Sequence, residues 1–321
     1  MPVHPPLPPI LLTININSVT PPNALENQET IVVDGTVTNV SGVAMNGELR
    51  LNDSFNGTAF NLSADGTPKP FKIQGAAPSA GGPVSVSYVR SGQTAAISYA
   101  SDPYNARARF ELAISKFRVN IRRHALFDDV IQATAVAQFA GNFLGDPDDP
   151  HSAEPQNRYA FFGTVSPGVD VPATGDVFRF MTFDTTMDGA QELLFSYVFQ
   201  DLGPAALALP KEILNVVSSG AASVLGSLYA GSGAAWSKVD AGMQTLHDQM
   251  YSQCGASIAV SSQRYTSSEL ISLTNDSGVI AVSRTDFPRD VQVFYPCQVG
   301  QYTASYQIRR SSWVRQTGPI S

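Results

Sequence analysis

A mostly β protein is the fold class this sequence predicts: a small N-terminal Ig-like β-sandwich, then a larger β-sandwich or jelly-roll-like domain with an inserted αα-hairpin. Three observations carry that expectation. Short runs alternating apolar and polar residues recur through most of the chain. Clusters of Gly, Asn, Asp and Pro separate them at the spacing of a sandwich. One stretch, at about residues 205–253, departs from alternation and carries helical stripes instead.

Residues 1–9 are Pro-rich and read as an extended arm. In residues 10–19, Ile14 and Ile16 alternate with Asn15 and Asn17, which predicts a first strand that pairs with its own sheet or with a neighbouring subunit. The arm and this strand occupy 1–20, and the small sandwich 21–103. Its strands are expected at 30–39, 47–51, 58–62 and 70–74, with turns at Val40-Ser41-Gly42, Asn52-Asp53, Asn56-Gly57 and Asp65-Gly66. Residues 84–99 (VSVSYVRSGQTAAISY) read as a hairpin across a two-residue turn at Ser91-Gly92. No paired Cys and core Trp of the antibody type accompany these strands, so the likeness is architectural.

The larger domain, 104–321, opens with a long strand at 107–122. Leu112 and Ile114 share one phase while Phe117, Val119 and Ile121 share the other, so a β-bulge near Ser115-Lys116 is expected. Strands follow at 130–139, 158–165, 176–183 and 191–200. The last is apolar on both faces and belongs inside a covered sheet. Leu209, Ile213, Val224 and Leu228 form one helical stripe, and Trp236, Val239, Met243, Leu246 and Met250 a second, with Cys254-Gly255 as its stop. Short strands at 257–262, 269–274, 279–283, 291–295 and 301–309 finish the chain, with Asn275-Asp276-Ser277-Gly278 as a turn.

Among the 321 residues, 43% are hydrophobic and only 15% charged, against about 25% charged in ordinary domains. The net charge of −7 argues against a nucleic-acid surface. The basic groups Arg122-Arg123-His124 and Arg309-Arg310 are expected to be solvated strand ends. No run reaches the length of a membrane helix, so no constitutive span is expected. The N-terminus lacks the basic region of a signal peptide. The composition nonetheless points to an extracellular or particle-surface setting. Asn-x-Ser/Thr acceptor sequences begin at Asn39, Asn52, Asn56, Asn61 and Asn275.

Chemistry-bearing motifs are sparse. The histidines His4, His124, His151 and His247 lack metal-ligand spacing, and no nucleophile elbow, P-loop or dinucleotide fingerprint is present. No catalytic or cofactor-binding residue is therefore assigned. Asp146, Asp148 and Asp149 form the densest carboxylate cluster and are the candidate for a calcium site, although Pro147 and Pro150 interrupt the spacing. Cys254 and Cys297 are the disulfide candidate. A bridge would close a loop of about 40 residues, for about 4 kcal/mol in the chain-entropy model, the alternative being two buried thiols.

These features favour a non-enzymatic structural or binding protein. It would act through β surfaces on a protein or glycan partner, and could self-assemble through the arm. The alternatives are a toxin-like protein whose helical hairpin inserts conditionally in membranes, and a carboxylate-dependent hydrolase.

Overall fold

The computed structural model describes residues 12–52, 54, 56–123, 128–140, 156–172, 179–201, 256–286 and 298–314. The protein is mostly β, built from several antiparallel sheets. It divides into two compact units. Unit 1 holds Met1–Arg109, Thr186–Asp188 and Ser312–Ser321, and unit 2 holds Phe110–Thr185 and Gly189–Ser311.

Among the described residues, unit 1 contains two sheets. β1 (Leu12–Thr20), β2 (Thr30–Asn39) and β5 (Lys69–Ala76) form the first, in the order β1-β2-β5. β3 (Gly47–Leu51), β4 (Thr58–Ala59), β6 (Val84–Arg90) and β7 (Ala96–Asp102) form the second, in the order β4-β3-β6-β7. Ile31, Val33 and Ile73 from one sheet share a buried cluster with Leu49, Val86 and Tyr88 from the other. Burying each such aliphatic side chain contributes about 1.5–3 kcal/mol. The strand expected after the arm pairs with its own sheet: Ile14 lies opposite Val37. A bulge at Asn17 resets its phase, so Val19 also packs on the core that Ile14 and Ile16 face.

Unit 2 contains a sheet in the order β10-β9-β13-β14, made of β9 (Asp129–Ala140), β10 (Gln156–Val165), β13 (Glu192–Asp201) and β14 (Ala256–Thr266). Its second sheet runs β11-β8-β16-β15, with β8 (Arg107–Ile121), β11 (Asp170–Pro172), β15 (Val279–Asp286) and β16 (Gln301–Arg310). β12 (Arg179–Thr186) also pairs with β8. Aromatic rings join the sheets: Phe117 stacks on Phe199 at 4.2 Å and Phe139 on Phe183 at 4.3 Å, while Phe195 meets Tyr306 edge-on at 5.2 Å. β13 is an inner strand, as its two apolar faces require, and the register of β8 against β16 slips at Ser115, the expected bulge.

Several expectations are corrected. Residues 269–274 are not a strand but most of a helix, α1 (Ser267–Thr274). Thr266 accepts from the Glu269 N–H while the Glu269 carboxylate accepts from the Thr266 N–H. This capping box overrides the short alternation. The turn of the 84–99 hairpin spans residues 91–95 rather than two, since pairing resumes with Val89 opposite Ala96. Arg123 and Arg310 are buried, not solvated. Arg310 is drawn in because its guanidinium donates to Ile271 O and Asn275 Oδ1 at the carboxyl end of α1, where orphan carbonyls and the helix dipole favour a cation. The αα-hairpin at about 205–253 lies outside the described residues, as do the arm and the strand expected at 291–295.

Candidate functional site

Sequence-predicted site residues fall outside the described part of the chain. That holds for Asp146, Asp148 and Asp149, for Cys254 and Cys297, and for all four histidines. Among the described residues no group of three or more His, Cys, Asp or Glu side chains could hold a metal ion. No described helix is long and apolar enough to cross a membrane.

A buried ionisable constellation lies in unit 2. Asp129, at the start of β9, accepts from the Arg123 backbone N–H at 2.9 and 3.0 Å and from the Tyr302 hydroxyl at 2.7 Å. Burial, then the charges of Asp129 and Asp201, push the Tyr302 phenol far above its ordinary value, and Arg123 opposes them. All four side chains are at most 3% exposed. A cluster sealed to that degree offers no atom to a substrate. It reads as a buried structural network, in which the Asp129 carboxylate takes up the Arg123 N–H and the Tyr302 hydroxyl.

A different arrangement faces solvent on unit 1. Directly opposed residues in an antiparallel pair share a face, and Arg50 lies opposite Ser87, which in turn lies opposite Tyr99. One row therefore crosses β3, β6 and β7 on the side away from Leu49 and Tyr88, which are in the core. Its middle residue, Ser87, is buried, whereas Tyr99 is 56% exposed. Strands are about 4.8 Å apart, so the Arg50 and Tyr99 backbones stand about 10 Å from each other across this row. Glu48 holds the Arg50 guanidinium by a 2.6 Å hydrogen bond to Nε and a second contact to Nη.

Glu48 also lines a separate groove of about 380 Å³, together with Gly47, Gly57, Val89, Arg90 and Gln93, among others. Val89 is on the row next to Arg50–Ser87–Tyr99, opposite Glu48. Gly57 keeps the groove open: a Cβ there would lie 2.6 Å from the Glu48 carboxyl carbon. The lining carries one carboxylate and one guanidinium, so it is charge-balanced.

Sequence reasoning placed these residues in strands but did not single them out. Tyr99 and Arg50 are about fifty positions apart, and only the register of β3 and β7 on β6 puts them on one row. No family model matches this chain, and neither the curated proteins nor the solved structures contain a match to it.

Proposed function

We propose that this is a non-enzymatic binding protein that acts through a β-sheet surface, in an extracellular or particle-surface setting. In this reading both units are β-sandwiches, the first small and Ig-like, the second jelly-roll-like. The carrying observation is the exposed Tyr99 on the same sheet face as the Arg50–Glu48 ion pair, with the groove that Glu48 lines. The contrast with unit 2 supports it, since the ionisable cluster there is sealed from solvent. A hydrolase needs convergent, accessible acids, and the described residues present an exposed aromatic beside a preformed ion pair instead.

The test is retention of the labelled protein on intact cells or particles of its source, compared with the double variant Arg50→Ala, Tyr99→Ala. Saturable retention that falls at least tenfold in the variant is the expected result. Equal retention of the two proteins would overturn the reading.

A further inference from the structure

We infer that the Asn56–Gly57 peptide is a self-modifying site of the folded protein. It converts spontaneously to aspartyl and isoaspartyl forms, and so adds a carboxylate next to the groove that Glu48 and Gly57 line. Its chemistry is independent of the binding reading above.

The reaction needs no partner but water. The Gly57 backbone nitrogen attacks the Asn56 side-chain carbonyl carbon, and a five-membered imide closes. The new C–N bond replaces the Cγ–Nδ2 bond, and ammonia leaves with the proton that the Gly57 nitrogen gives up. One water then opens the ring. Opening at Cγ leaves a side-chain carboxylate on an ordinary backbone. Opening at the main-chain carbonyl leaves isoaspartate, whose backbone is one methylene longer. No oxidation or reduction is involved. Glycine after the asparagine favours the attack, because no Cβ hinders the nitrogen and the backbone can turn to reach the ring geometry.

Asn-Gly occurs twice in this chain, at Asn46-Gly47 and Asn56-Gly57, and both asparagines are exposed. Exposure therefore does not separate them; backbone pairing does. Ring closure turns the Asn–Gly peptide plane about the asparagine Cα–C bond. At Asn46 that plane is pinned: its carbonyl accepts from the Ser91 N–H at 2.9 Å, and the Gly47 carbonyl accepts from the Phe60 N–H at 2.7 Å. Gly47 also lies opposite Arg90 in the β3–β6 ladder, and a Cβ there would stand 2.4 Å from the Val89 carbonyl oxygen. Turning it requires β3 to open locally. At Asn56 the pairing has not begun, because the ladder with β3 starts at Thr58 opposite Leu49. Among the described residues the Asn56 carbonyl accepts only from the Ser54 hydroxyl, a donor on a single rotor, and the Asn56 side-chain amide has no partner. The missing Cβ of Gly57 matters twice, since a Cβ there would also stand 2.6 Å from the Glu48 carboxyl carbon. The product thus sets a second negative charge beside a wall that already carries Glu48.

The experiment ages the full chain, made in a host that adds no glycans, at mildly alkaline pH. Peptide mass spectrometry reads deamidation at each site, and isoaspartyl methyltransferase labelling reads the isoaspartyl product. Asn56 should convert at least about tenfold faster than Asn46 in the folded protein, and the two should come within about threefold of each other in guanidinium, where β3 is unfolded. An acidic species should appear on anion exchange in step with conversion at Asn56, and Asn56→Ser should abolish it. Asn56 staying as intact as Asn46, Asn46 converting as fast as Asn56 in the folded chain, or the same difference persisting in guanidinium would each overturn the inference.

Discussion

Asp129 accepts three hydrogen bonds where water cannot replace any of them, being 1% exposed. Asp129→Ala strands the Arg123 N–H and the Tyr302 hydroxyl together, and breaking a buried charged network in this way costs about 3–5 kcal/mol. Urea denaturation should show that loss, and Tyr302→Phe should cost less, about 1–3 kcal/mol. Tyr302 also sets a pH limit. Its folded pKa is raised above the unfolded value of 10.0, so its contribution is complete below that pH and is lost as pH rises beyond it. The stability of the Tyr302→Phe protein should therefore fall less steeply above about pH 10 than that of the parent. The asparagines sort by the same kind of count. Asn39 is 1% exposed, donates to Val43 O and Ser63 O, and accepts from the Ser41 N–H and hydroxyl. Asn52 donates to Ala76 O and accepts from the Ser85 N–H, whereas Asn56 and Asn61 are exposed. Produced in a glycosylating host, the protein should carry sugar at Asn56 or Asn61 and none at Asn39, as peptide mass spectrometry would read.

Among the elements, α1 exists because of its first turn. Thr266→Ala removes the cap and should cost about 1 kcal/mol, measured by thermal or urea unfolding. The Thr266 backbone N–H holds the Glu269 carboxyl below its ordinary value of 4.5. A lowered carboxyl pKa means the box is intact above that value and is lost as pH falls through the folded pKa. Alternation at 269–274 pointed to a strand, but the Thr-x-x-Glu spacing was already in the sequence and marks a helix start. In β2, Gly35 is required by close approach: a Cβ there would stand 2.3 Å from Asn15 O and 2.4 Å from the Phe71 ring. Gly35→Ala should force β1 or Phe71 to move, at about 1–3 kcal/mol, and lower the midpoint of urea unfolding.

For the whole molecule, the chain leaves unit 1 at Arg109, re-enters it briefly at Thr186–Asp188 and returns to it at Ser312. Within unit 1 the buried Glu26 accepts from the Ser312 hydroxyl at 2.6 Å and from the Ala80 N–H at 2.7 Å. Ser312 also accepts from the Arg109 N–H, and its carbonyl accepts from Asn27. Ser312 is thus a structural part of the first unit. Ser312→Ala should cost unit 1 about 1–3 kcal/mol, read as faster amide exchange in β2 and β6. A nested order of this kind is not visible in sequence, because Glu26 and Ser312 are 286 positions apart and neither is part of a periodic pattern.

Alternating side chains determined most of what is local here: strands, turns, the bulge at Ser115 and the inner position of β13, since each follows from which neighbours two or three residues away are apolar. The tertiary structure alone decided which strands lie side by side. That choice placed Tyr99 beyond Ser87 from Arg50, buried Arg123 and Arg310, and closed Ser312 onto Glu26. Register is a long-range quantity, fixed by how whole faces fill a common core, and no short window of sequence contains it.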